Sequence, residues 1–354
     1  MEHITKLKMA DPVHYVKCMI FGLLLGVCGC GRAVADVSAQ TDRMAWIEGT
    51  QGWLDNGVVK LGIDTTYGGA IVYLSASESS VNLVNLYDHG RQIQQSYYAG
   101  DVLDRTQQGQ SEHWTPWPWN PVQAGNWRGD CGVVAAFAAI NDGTTLYSET
   151  QPRLWDMDGE LAQATMRQWT AFEPGMDNVI RVENQIVIWR DPNDIWGGPV
   201  TRHQECPAVY LIRDLDKVVF YDGDKPWQDK PLTVLTDHPG DQPPWDIYRP
   251  TEHWAACVYP HDDFGVGIYS TYDSEFWYVG AVGSGSGDAG SASTMHLAAI
   301  DNKALDRDSV WRYTYWIILG NIDTIRSLVY ELHQRPTPDK RPERLNSVLG
   351  EGSF

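Results

Sequence analysis

The chain has 354 residues, of which 43% are hydrophobic and 21% charged, so it can bury a large core and is not globally disordered. Its formal charge of −19 argues against nucleic acid and anionic membrane faces as partners, because both call for a cationic surface. Only Cys131, Cys206 and Cys257 follow Cys30, enough for one disulfide and one free thiol, so the core and not a disulfide scaffold must hold the fold.

The first element in chain order is a targeting segment. Lys6, Lys8 and Lys17 precede an apolar run from Met19 to Val27, and Ala33-Val34-Ala35 has the form of a cleavage site before Asp36. The run is shorter than the ~20 residues of a permanent membrane helix. A second reading stays open: Cys28 or Cys30, after Leu25-Gly26-Val27, would carry the lipid of a lipoprotein. Residues 1–35 hold four of the cations and two of the anions, so the remainder has 23 cations against 44 anions, a charge of −21. No other segment is apolar enough to span a membrane.

Strand signals then dominate. Val58–Ile63, a turn at Tyr67-Gly68-Gly69 and Ala70–Leu74 have the form of a hairpin. From Val179 to Trp189, Ile180, Val182, Ile186 and Ile188 alternate with Arg181, Glu183, Gln185 and Val187, the period of a half-buried strand. Further strands are expected at 208–212, 217–221, 254–259, 265–270 and 312–319. Gly283–Thr294 reads as a Gly/Ser-rich loop, mobile and suited to a lid. Ile325, Leu328, Val329 and Leu332 follow helical spacing, with Asn321 or Asp323 as cap. The prolines beyond His333 predict a disordered tail over 334–354. Residues 45–333 are thus expected to be a single catalytic domain, all-β, a large two-sheet antiparallel β-sandwich with a short C-terminal helix.

Asn56–Ile63, then Gly68–Leu74, then Asn82-Leu83-Val84-Asn85 resemble the opening of galactose-mutarotase-like proteins. The resemblance implies a β supersandwich whose concave sheet binds sugar. That fold serves epimerases, hydrolases and lyases alike, so it does not choose the reaction.

Tryptophan is the strongest chemical signal, with 16 Trp beside 17 Tyr. Aromatic faces stack on the C–H faces of sugars, and their polar edges bond hydroxyls. Core packing accounts for many of them, but Trp114–Asn120 interleaves three indoles with prolines, which favours a loop or edge. Trp117, Trp119, Asn120, Gln123 and Trp254 are therefore candidate sugar contacts. The polar segment Tyr87–Tyr98 adds Asp88, His89, Arg91 and Gln95, against the plainer reading of an Asp–Arg pair that fixes a turn.

In Thr201–Tyr210, His203 and Glu205 share one face of an extended chain, roughly 7 Å apart. They could also be surface charges. Glu252 shares a face with Trp254. Glu205 and Glu252 are the candidate carboxylate pair of a hydrolase, with His203 beside them. Asp273 and Glu275 form a weaker candidate. The acidic runs Asp191–Asp194 and Asp237–Asp246 could bind structural calcium, although solvated turns explain them as well. No other cofactor or metal is expected.

These features lead to an extracytoplasmic glycoside hydrolase, secreted, periplasmic or lipid-anchored, with a carbohydrate as partner. The first alternative is a polysaccharide lyase using His203, Arg91 and Tyr97 on a uronic acid. The second is a glycan-binding protein without catalysis.

Overall fold

Period-two alternation decides which side chains meet. In the strand Val179–Ile188, Ile180, Val182, Ile186 and Ile188 are buried while Arg181, Glu183, Gln185 and Val187 are only partly covered. A row of this kind needs a second apolar surface to close on. The computed structural model describes residues 45–236, 245–270, 274 and 276–335. Within these residues two large sheets supply one another's cover.

The first sheet runs, in spatial order, Ala45–Trp46, Val133–Ile140, Thr145–Gln151, Ala164–Phe172, Val179–Ile188, Val310–Asn321, Phe264–Ser270, Trp254–Val258, Lys217–Phe220 and Thr233–Leu235. The second runs Asp246–Tyr248, Phe276–Val282, Thr294–Leu305, Val200–Ile212, Ile93–Ser96, Ala70–Ala76, Val59–Asp64 and Gln51–Asp55, with Pro121–Val122 and Arg153–Leu154 attached beside it. Neighbouring strands pair antiparallel. A two-stranded ribbon, Ala99–Leu103 with Trp117–Trp119, follows from the end of Ile93–Ser96. One apolar core lies between the sheets, with Ile180, Val182, Ile268 and Ile317 from the first meeting Leu61, Ile71, Val209 and Leu297 from the second. The architecture is all-β, with a short helix near the C-terminus.

The expected hairpin and the strands expected at 179–189, 217–221, 254–259, 265–270 and 312–319 are present with small changes of boundary. The strand expected at 208–212 is the end of a longer one, Val200–Ile212. Cys131, Cys206 and Cys257 are all free thiols, so the disulfide left open by the sequence is not formed. Residues 1–35, with the leader and Cys28 or Cys30, lie outside the described residues. So do Asp273, Glu275, most of the acidic run 237–246 and the tail beyond Arg335. No helix among the described residues is long and apolar enough to cross a membrane.

Part of the outer face of the first sheet is covered by the helix Ile322–Gln334, whose first turn is capped by the Asn321 side chain accepting from the Thr324 N–H. Ile325, Val329 and Leu332 press on Val219, Trp254, Ala256, Tyr269 and Trp316. Burial of such side chains contributes ~1.5–3 kcal/mol each. This contact overturns two expectations. Trp254 is wholly buried under the helix and offers no face to a sugar. Glu252 has zero exposure there, and its oxygens accept from Arg326, Tyr330, the Trp254 indole and the Trp227 N–H at 2.6–3.3 Å. It anchors the helix and belongs to the other side of the sandwich from Glu205.

Candidate functional site

The outer face of the second sheet carries a different population of side chains. The strand Val200–Ile212 pairs Glu205 with Ile300 but Val209 with Leu297, so it holds one more residue than its partner across that stretch. Four positions of regular strand would keep Glu205 and Val209 on one face. With the bulge, Val209 enters the core and Glu205 turns outward. His203 lies on the same outward side, exposed, with its Nδ1 bonded to the Tyr278 hydroxyl and its ring 5.0 Å from Phe276.

Glu205 meets His296, from the strand Thr294–Leu305. Their Oε1 and Nε2 atoms are 3.2 Å apart, with 7% of the Glu205 side chain exposed and none of His296. The contact is within ion-pair reach but is not aligned as a hydrogen bond. The other imidazole nitrogen, Nδ1, is 3.1 Å from the Val209 carbonyl. A carbonyl only accepts, which assigns the proton to Nδ1. In a neutral imidazole Nε2 is then a bare acceptor facing a carboxylate oxygen. The contact sets an imidazole nitrogen against a carboxylate oxygen at the centre of the site.

Aromatic rings surround this pair. Tyr210 and Trp245 lie against the His296 ring with centroids 4.4 and 4.2 Å away. The Tyr98 and Tyr210 hydroxyls are held well above the ordinary phenol range, first by burial and then by the negative charge of Glu205. Tyr278 is raised by the same two causes in the same order. All three therefore stay protonated at neutral pH and act as donors, not bases. From Tyr98 the aromatic wall continues through Trp117, 6.3 Å away, to Trp114 and Trp155.

The other sequence candidates fall in several places. Asp88 and Arg91 pair at 3.2 Å, and their opposed charges both act on Tyr210. Asp88 Oδ1 also accepts from the Gly90 N–H at 2.8 Å, and Arg91 donates to the Ala292 carbonyl. His89 packs on Tyr67 at 4.8 Å and against Gly125, and burial lowers its basicity. Asn120 is buried and accepts from the Trp117 indole N–H at 3.2 Å, so it fixes that ring.

Four candidates are corrected by burial. Gln95 points between the sheets, donating to the Arg167 carbonyl and accepting from Tyr97. Gln123 is buried between the Gly69 carbonyl and the Gln95 N–H. Trp119 is 2% exposed, with the Arg190 guanidinium over its ring. Tyr97, the base considered for a lyase, has zero exposure and faces Tyr313 in the core. The Gly283–Thr294 loop is tied to the body by Asn85, which donates to the Ser291 and Ser293 carbonyls. In the run Asp191–Asp194, Asp194 pairs with Arg190 at 3.1 Å and Asp191 accepts from Asn193.

Sequence reasoning missed His296, Tyr98, Tyr210, Tyr278, Trp155 and Trp245. His296 had a usable signal, a lone imidazole in the apolar run Met295–Ile300.

No protein-family model matches the chain. A search of curated proteins also finds no match. Solved structures similar to it include a candidate aldose 1-epimerase from Escherichia coli K12, 10% identical, covering 79% of this chain and 100% of that one with a TM-score of 0.47. The galactose mutarotase related enzyme from Lactobacillus acidophilus is 10% identical, with coverages of 76% and 97% and a TM-score of 0.44. An aldose epimerase homologue from C. elegans is 8% identical, with coverages of 77% and 99% and a TM-score of 0.43. In fold, the chain is similar to galactose-mutarotase-like proteins.

Proposed function

We propose that the protein is a carbohydrate-active enzyme in which Glu205, with His296, exchanges protons with a sugar on the outer face of the second sheet. The observation that carries this reading is the Glu205–His296 pair itself, 3.2 Å apart under aromatic rings and turned out of the core by a bulge. A carboxyl and an imidazole brought together in one buried site can serve as the acid and base of a proton-transfer reaction. The sugar assignment rests on the aromatic rings of Tyr210 and Trp245 beside the pair and on the wall that continues from Tyr98 to Trp117.

Glu252 supplies no second carboxylate, so hydrolysis by that pair drops out. Asp88 is the other described carboxylate whose charge reaches Tyr210, but both its oxygens are engaged. Chemistry with one carboxylate fits better, such as proton transfer at the ring and anomeric oxygens. A lyase is the second reading, favoured by the exposed His203 on Tyr278. There His203 would take the C5 proton of a uronic acid and Tyr278 would protonate the leaving oxygen. The proposal includes export through the leader read in residues 1–35.

The test is a saccharide panel followed by three readouts: anomer exchange, new reducing ends, and the ultraviolet absorbance of unsaturated uronates. Turnover in any one assigns the reaction. Glu205→Gln is expected to lower it at least about a hundredfold. Full turnover in that variant sinks the reading, and binding without any of the three products identifies a non-catalytic glycan binder.

A further inference from the structure

We infer that the site takes a chain of sugar units and not a single sugar, an inference that rests on the proposed function of the Glu205 face. The wall that begins at Tyr98 does not stop there. Ring centroids step 6.3 Å to Trp117, 5.3 Å to Trp114 and 5.7 Å to Trp155, each contact edge-on. All four residues are half-buried and keep part of their surface open. Trp119 belongs to the core between the sheets, whereas Trp114, Trp117 and Trp155 do not.

The strip is held in place from behind. The Trp117 indole N–H donates to the Asn120 side chain, and the main-chain N–H of Trp155 donates to the Asn120 carbonyl at 2.9 Å. Trp155 lies so close over Gly90 that a Cβ there would come within 2.8 Å of its ring, so only glycine admits the indole at that height. Gly90 in turn sits between Asp88 and Arg91, whose charges act on Tyr210. A monosaccharide at Glu205 reaches Tyr98 but leaves Trp114 and Trp155, two and three ring steps away, without a partner. Fixed, partly open indoles there contribute to binding only when the ligand extends past its first unit.

The experiment uses the full chain carrying Glu205→Gln, titrated calorimetrically with cello-, laminari-, xylo-, manno- and galacturono-oligosaccharides of increasing length. In at least one series the longest member is expected to bind about tenfold or more tightly than the dimer. Trp114→Ala and Trp155→Ala should each remove most of that gain, and Trp53→Ala, an exposed indole away from the strip, should leave it intact. Should either tryptophan variant fold poorly, the emission shift of the unaltered indoles, growing with ligand length, reads the same contact. Equal affinity at every length overturns the inference and leaves the Glu205 reading standing. Loss of binding in all five series overturns both, and a length gain untouched by the two tryptophan variants overturns the strip as its source.

Discussion

Glu205 reaches the outer face because its strand holds one residue too many. Its two-residue spacing from His203 was enough to put both on one side of an extended chain, and in the folded protein both face outward. The sequence carried no mark of which sheet a strand would join, and so Glu252 looked equivalent to Glu205. The difference lies in their partners: Glu252 is met by four donors, whereas Glu205 is met by one imidazole. His296 escaped notice because the glycine- and serine-rich stretch before it hid the start of its strand. If the Glu205–His296 contact is the working element, His296→Phe should preserve packing against Tyr210 and Trp245 yet lower turnover at least about tenfold. Steady-state rates beside a thermal melt check this, and an unchanged rate would remove His296 from the chemistry.

At the scale of elements, the terminal helix was legible from its apolar spacing and its Asn321 cap. The strands Val133–Ile140 and Ala164–Phe172 were not. The first is rich in alanine and valine on both faces, which leaves no polar alternation to read. The second places Gln168 and Thr170 inward, where polar side chains are not expected. Helix docking is measurable through its parts. Asn321→Ala should cost about 1 kcal/mol through loss of the cap. Leu332→Ala should cost about 2–5 kcal/mol. Glu252→Gln should cost about 3–5 kcal/mol, because it leaves Arg326 without its buried partner. Urea denaturation reads all three, and the folded fraction of each variant should keep its turnover, since none of these residues touches the Glu205 face.

Among the described residues, the two sheets differ in their outer faces: the helix covers part of the first, and the second carries the Glu205 site. This asymmetry gives the molecule a predictable response to acid. Burial alone would raise the Glu252 carboxyl, but hydrogen bonds from Arg326, Tyr330, Trp254 and the Trp227 N–H outweigh it and hold the group below the ordinary carboxylate range. A carboxyl lowered on folding stabilises fully above its unfolded value, and that stability is lost as pH falls through the folded value. Urea midpoints should therefore drop between about pH 7 and about pH 3, and drop less in Glu252→Gln. The order of the first sheet has one more consequence. Val310–Asn321, the last strand among the described residues, lies between Val179–Ile188 and Phe264–Ser270. Until that strand is in place the sheet has a gap at its middle, so the strands on its two sides cannot form one continuous layer. Its insertion is a closing step, which joins the two parts of the layer and brings the helix that follows it down onto their outer face.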